Sequence, residues 1–261
     1  MRHVKIHTAA LIAAGLIAGL IAGLAGCGSS SDGTSGDGES GDGPPKDRPA
    51  AAAQPQHPQQ RQGGAEIAAV RGRQIAVHKH KGDGAAWKTL SSPNQMGATR
   101  VFLIDAKDGD WLKVLLPIRP NGSTGWVKAS DVKLSATTHR VEIDPEAFKF
   151  TVFDGHKALR TGKVATGEGG TPTPAGRFYL TELVKPPNPG GDYGAYAFGL
   201  SGFSPTLKTF AGGPGQLAVH GTNNTSALGR KVSHGCVRVS NDDITWMAKN
   251  LTIGTPVVVK Q

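Results

Sequence analysis

Apolar and polar positions divide this chain into stretches of different character. Ala9 to Ala25 is an apolar run broken only by Gly15, Gly19 and Gly23, and Arg2 and Lys5 precede it. Gly28 to Pro49 holds no aliphatic or aromatic side chain, and Ala50 to Gly64 continues as a Pro/Gln/Ala tract. With nothing to bury, such a segment cannot offset its ordering entropy and is expected to be disordered. From Ile67 the pattern changes to short alternating runs separated by turn residues. Ile75–Val77, Val101–Ile104, Trp111–Leu115 and Trp126–Val127 read as strands, with Asp108-Gly109-Asp110 and Asn121-Gly122 as turns. After Leu134, Phe148, Phe150 and Val152 alternate into Asp154-Gly155, and Phe178–Leu180, Leu217–Val219 and Val257–Val259 are further strands. One helix is legible. Ser240 stands three residues before Asp243, and Ile244, Met247, Ala248 and Leu251 recur at helical spacing to face the core, with Trp246 off that stripe.

The predicted fold class is therefore all-β with one short helix, a small barrel followed by a larger β domain. Gly109-Asp110-Trp111-Leu112-Lys113-Val114 and Gly125-Trp126-Val127-Lys128 resemble bacterial SH3-like domains, and the resemblance covers roughly residues 67–135. Trp111 and Trp126 are expected to pack in its core, with ligand stacking as the alternative.

The N-terminal 27 residues read as an export signal, because basic residues stay on the cytoplasmic side while the apolar run enters the translocation site. About 17 residues is the lower limit for a spanning helix, and the three glycines weaken that reading. Leu24-Ala25-Gly26-Cys27 resembles the lipobox of bacterial lipoproteins. That implies acylation of Cys27 and a protein anchored to the outer face of the cell membrane, facing the wall. A free cysteine ending a signal peptide is the alternative. Residues 28–66 would then be a tether of about 35 Å r.m.s. reach.

Charge separates along the same boundary. Residues 28–66 carry 3 basic and 6 acidic side chains, whereas residues 67–261 carry 24 basic and 14 acidic, a net +10. A basic folded part on an exported chain suits an anionic envelope surface, either wall polymer or lipid headgroup. Nucleic acid is excluded as a partner on the ground of export.

Cys27 and Cys236 are the only cysteines. If Cys27 carries lipid, Cys236 is a lone thiol in an oxidising compartment, and that singles it out before any motif is read. Around it lies Ser233-His234-Gly235-Cys236-Val237-Arg238, preceded by Val219-His220-Gly221-Thr222. A cysteine attacks as thiolate, so it needs a base or cation beside it. His220 ends a strand and Cys236 follows a Gly-rich turn, so a returning loop can bring imidazole to sulfur. Gly235 permits close backbone approach, and the amides of Gly235 and Cys236 could point at an oxyanion. Arg238 projects on the side of Cys236 if the segment is extended. There it could favour thiolate or hold a substrate carboxylate, with a plain surface ion pair as the alternative. His220, His234 and Cys236 could instead hold zinc, though no fourth ligand is evident. Cys236 as a buried structural thiol is the remaining alternative.

These two segments resemble the signature of the L,D-transpeptidase family with its YkuD-type β-sandwich, and Thr171-Pro172-Thr173-Pro174-Ala175-Gly176-Arg177-Phe178 matches its Thr-Pro-Gly-Phe element. The catalytic domain is placed at residues 138–261. The resemblance implies Cys236 as the acylated nucleophile and His220 as proton donor and acceptor. Ser233 and His234 would brace the loop, with His234 as a second base in the alternative. It also implies peptidoglycan stem peptides as substrates, 3→3 cross-links as products, carbapenems as covalent inhibitors, and no cofactor or metal. The Pro/Gly-rich stretch Lys185–Tyr196 reads as a lid or groove wall, or else as an ordinary exposed loop. Tyr193 and Tyr196 are its candidates for substrate contact. An L,D-carboxypeptidase or Cys-His hydrolase, and a non-catalytic wall-binding lipoprotein, remain as rivals.

Overall fold

Alternation in the N-terminal half produces seven strands. They are β1 (Ala65–Val70), β2 (Gln74–Val77), β3 (Lys88–Ser91), β4 (Val101–Asp108), β5 (Trp111–Leu115), β6 (Thr124–Lys128) and β7 (Val132–Thr137). The computed structural model describes residues 64–261, so the apolar run, Cys27 and nearly all of the expected tether lie outside it. Five strands form an antiparallel sheet in the order β6-β5-β4-β1-β7. The β2–β3 hairpin joins β6 through a reciprocal bridge, His78 and Trp126 exchanging N–H and C=O at 2.8 Å each. The sheet thereby closes over Ala68, Ile75, Val77, Phe102, Leu112, Val114 and Val127. Trp111 and Trp126 are not in that core. They alternate with Leu112, Val114 and Val127, which puts both indoles, half-buried, on the outer face. There the His78 ring meets Trp111 edge-on at 5.0 Å, and the Lys128 ammonium lies 5.8 Å from its centroid.

The C-terminal half contains β8 (His139–Asp144), β9 (Lys149–Asp154), β10 (Lys157–Lys163), β11 (Thr166–Gly167), β12 (Gly176–Val184), β13 (Ala197–Phe203), β14 (Gln216–His220), β15 (Lys231–Ser233), β16 (Val237–Arg238) and β17 (Pro256–Val259). Eight of them make one mixed sheet in the order β10-β9-β8-β17-β12-β13-β14-β16. Phe150 and Val152 from one end of the sheet share a core with Val219 and Val237 from the other. The sheet must therefore curl back on itself, and register shifts in β10, β12 and β13 mark where it bends. Helix α1 (Asn241–Asn250) begins as its sequence predicts, with Ser240 Oγ accepting the Asp243 N–H at 3.0 Å. Ile244 and Met247 enter the core, and Trp246 and Ala248 pack at its margin.

β12 is buried on both faces. Phe178 and Leu180 enter the main core, while Tyr179 joins Ile67, Val101, Leu103 and Leu115 in a second cluster beneath the N-terminal sheet. Arg177 pairs with Asp105 across the same contact. The two halves thus share an apolar seam.

Candidate active site

The site is built on the edge of the curled sheet. β14 and β16 run parallel, with Val219 opposite Val237 and His220 opposite Arg238. Leu217, Val219, Val237 and Val239 point into the core. Strand alternation then sends Gln216, Ala218, His220, Cys236 and Arg238 to the other face. Strand spacing and rise put the Cα atoms of His220 and Cys236 about 8 Å apart on the diagonal, within the span of the two side chains.

The turn that presents Cys236 is held on three sides. Ser233 Oγ donates to the Cys236 carbonyl at 2.6 Å and accepts the Gly235 N–H at 3.1 Å. Thr173 Oγ1 donates to the Gly235 carbonyl at 2.9 Å and accepts the Gly167 N–H at 2.8 Å. Thr171 Oγ1 donates to the Ser233 carbonyl at 3.2 Å. The Thr171–Thr173 element therefore clamps the nucleophile's turn from a distant part of the chain. Gly235 sits at φ +111°, a backbone region that strains any residue with a Cβ. A Cβ there would also come within 3.1 Å of Leu217 Cδ2.

His220 is 4% exposed, and its Nδ1 lies 2.6 Å from the Gly221 carbonyl. A carbonyl only accepts, so Nδ1 carries the proton and Nε2 is the nitrogen free to take another. Burial pushes the imidazole pKa down to about 4; the Gly221 carbonyl opposes that shift and the nearby Arg238 charge adds to it. Burial raises the Cys236 thiol, against hydrogen bonding at Ala218 and the Arg238 charge, which both lower it. At neutral pH the resting pair is thus thiol and neutral imidazole.

A histidine buried neutral couples folding to pH. Between 6.5 and about 4 the unfolded chain takes up the proton first, so this contribution to stability is intact above pH 6.5 and lost as pH falls. The shift corresponds to about 3 kcal/mol. Urea unfolding of wild type and His220→Gln across that window should show the wild type losing more stability on acidification. Parallel curves for the two proteins would contradict the assignment.

Arg238 is half-buried, its Nε makes no hydrogen bond, and among the described residues no carboxylate pairs with it. It is not the surface ion pair of the alternative reading. Tyr193, 40% exposed, places its ring 4.8 Å from that of His220. Burial and the charges of Cys236 and Asp192 raise its phenol pKa. Tyr196 packs instead against the core, and its carbonyl accepts the Gly221 N–H at 3.1 Å. Of the two residues expected to brace the turn, Ser233 carries the hydrogen bonds. His234 is exposed and lies on Phe210 at 5.1 Å between centroids. The Gly235 amide, already bonded to Ser233, is not free for an oxyanion. Among the described residues no three His, Cys, Asp or Glu side chains cluster at metal-ligand spacing.

Two contributors escape a sequence reading. Asn241 Oδ1 accepts the Ala195 N–H at 3.0 Å and docks the 185–196 loop where Gly194 and Gly221 leave no room for a Cβ. Phe210, with Leu207, Gly215, Gln216 and His234, lines a small pocket at Cys236. An Asn just after a helix cap and a lone Phe among glycines carry no signal of either role.

Residues 138–259 match the family model of the YkuD L,D-transpeptidase catalytic domain. A Bacillus subtilis protein named as the L,D-transpeptidase YkuD is 32% identical over 123 residues, 47% of this chain and 66% of that protein. The chain thus spans just under two thirds of the length of such relatives. Among solved structures, an L,D-transpeptidase from Mycobacterium smegmatis is 18% identical with a TM-score of 0.39, covering 61% of this chain and 82% of that one. L,D-transpeptidase 3 from Mycobacterium tuberculosis, solved with a faropenem-derived adduct, is 20% identical with a TM-score of 0.39, covering 55% and 76%. Family match and motif fall on the same curled sheet: residues 138–259, which match the model of the L,D-transpeptidase catalytic domain, carry both the His220 and the Cys236 segments.

Proposed function

We propose that this chain is an exported peptidoglycan L,D-transpeptidase that works through a Cys236 thioester. The observation that supports the reading is the parallel pairing of β14 with β16, which sets His220 opposite Arg238, two residues from Cys236, and leaves the Arg238 Nε without a hydrogen-bond partner. Cys236 Sγ attacks the amide carbonyl after the third residue of a donor tetrapeptide. His220 Nε2 takes the thiol proton and returns it to the departing D-residue amine. The acyl group is then held as a thioester. A side-chain amine of a neighbouring stem attacks that carbonyl, gives its proton to His220 and expels the thiolate, which is reprotonated. The product is a 3→3 cross-link. With the Gly235 amide engaged, the amides of His234 and Cys236 are the turn's remaining candidates to receive the oxyanion. Arg238 and Tyr193 flank the path of the donor.

The test is incubation of the protein with disaccharide tetrapeptide followed by mass spectrometry. A dimer that has lost one D-residue is the expected product. Tripeptide without dimer would replace the reading by an L,D-carboxypeptidase, in which water takes the place of the amine. Unchanged substrate, together with full sacculus binding, would leave a wall-binding protein.

The same reading makes Cys27 a lipidated anchor, residues 28–66 a spacer and residues 67–135 an SH3-like module that faces the wall. Cys27→Ala is expected to move the protein from the detergent phase to the aqueous phase in a two-phase partition. Equal partitioning of both forms would refute the lipobox.

A further inference from the structure

Leu207, Phe210 and Gln216 line one side of a small pocket that Cys236 and His234 also line. The connection from β13 to β14, residues 204–215, is rich in Gly and Pro. Its internal bonds are few. Ser204 N–H reaches the Gly215 carbonyl at 2.8 Å, Phe210 and Gly213 exchange bonds at 3.0 and 2.9 Å, and Leu207 N–H reaches Ser204 Oγ at 3.1 Å. A loop of that composition retains high conformational entropy unless something outside it ties it down.

The tie comes from the N-terminal sheet. Arg119 and Asn121 sit in the connection between β5 and β6, outside the strands that carry Cys236. Arg119 Nη2 donates to the Leu207 carbonyl at 2.8 Å and to the Pro214 carbonyl at 3.0 Å, so one guanidinium staples both limbs of the loop. Its carbon lies 4.7 Å from the Phe203 ring centroid. Asn121 meets the Phe203 backbone twice: Nδ2 donates to its carbonyl at 2.8 Å, and Oδ1 accepts its N–H at 2.9 Å. Where the limbs close, Gly215 adopts φ +71°, and a Cβ there would fall 2.3 Å from the Leu207 carbonyl oxygen.

A second, separate contact reaches the same wall. Gln216 Nε2 donates to Glu182 Oε1 at 2.9 Å, and Glu182 Oε2 accepts Asn94 Nδ2, again from the N-terminal half, at 2.7 Å. Glu182 is only 4% exposed.

We infer that Arg119 and Asn121 are positioning residues for the reaction at Cys236, and that the N-terminal half holds one wall of the substrate pocket in place. The N-terminal half thus acts on the site through the 204–215 loop and Gln216. Substrate contact by this wall presupposes the acyl-transfer reading. Its immobility does not, and the two are measured separately.

The experiment uses the full chain, with Arg119→Ala, Asn121→Ala and Arg119→Lys beside wild type. Hydrogen–deuterium exchange is followed by peptide, and KM and kcat are measured with disaccharide tetrapeptide. Losing charge-assisted anchors should speed exchange across 204–215 by about tenfold or more in Arg119→Ala, with β8 and β9 unchanged. KM should rise by about tenfold while kcat stays within about threefold, as expected when binding geometry rather than chemistry is lost. Arg119→Lys, which keeps the charge and a donor, should fall between. Unaltered exchange in 204–215, or acceleration spread evenly over the catalytic sheet, would overturn the inference. So would faster exchange with unchanged KM. If the wild type fails to turn over the tetrapeptide, the acyl-transfer reading falls, and the exchange data alone then decide whether the N-terminal sheet holds the wall.

Discussion

Cys236→Ser is expected to remove acyl transfer by at least about 10⁴-fold, and the single added mass expected when a carbapenem acylates the wild-type protein should be missing from the variant. The reason lies in the pairing at the site. A serine hydroxyl is far less acidic than a thiol, and His220, pushed down to about 4, is a weaker base than an ordinary imidazole. Burial raises the Cys236 thiol, and hydrogen bonding at Ala218 and the Arg238 charge oppose that rise, so a base of that strength has far less to overcome at the thiol than at a serine hydroxyl. The exchange should leave the fold intact, because the side chain is half-buried and a hydroxyl can keep the hydrogen bond at Ala218. Intact mass spectrometry of both proteins after carbapenem treatment decides the matter, with circular dichroism as the folding control. Equal labelling of wild type and Cys236→Ser would remove Cys236 from the nucleophile's role.

Strands whose alternation is strong were readable from the chain. β5 falls on Trp111–Leu115 as the pattern predicts, and the helix cap at Ser240 is where the Ser…Asp spacing puts it. β10 was not readable, because five of its seven residues are exposed and an edge strand shows no apolar face. β13 was hidden for another reason. Its glycines accept the Glu182 carboxylate and the Phe178 ring where a Cβ would clash, so close packing takes the place of apolar side chains. The tryptophans show the limit of residue type as a guide. Indoles are read as core, yet strand period put these two on the outer face. In the site, the residues of the local motif were legible together because the chemistry demands their types at short range. Asn121 was read only as half of an Asn-Gly turn. That Gly122 takes φ +83° agrees with the turn, but nothing in a dipeptide tells that the asparagine side chain reaches Phe203, 82 positions away.

His220 and His234 should separate cleanly when each is replaced by alanine. His220 stands at the end of β14, buried, with one nitrogen fixed on the Gly221 carbonyl and the other unprotonated at neutral pH. It therefore meets the requirement for a base: correct protonation state and a fixed ring. Loss of general-base assistance costs typically about 10²–10⁴ in rate, and the lowered basicity argues for the lower part of that range. His234 is closer to Cys236 in sequence but exposed, and its ring rests on Phe210. Its removal should change acylation by no more than a few-fold and stability by about 0.5 kcal/mol or less, as for an ordinary surface substitution. The pH profile gives a second criterion. Acylation by the wild type should persist below pH 6.5 and decline only toward pH 4, as His220 protonates, and His220→Ala should lose that limb. The measurement is the rate of carbapenem acylation from pH 4 to 8 for wild type and both variants, with melting temperatures alongside. An inactive His234→Ala of normal stability beside a near-normal His220→Ala would exchange the two roles and move the base to the exposed side of the pocket.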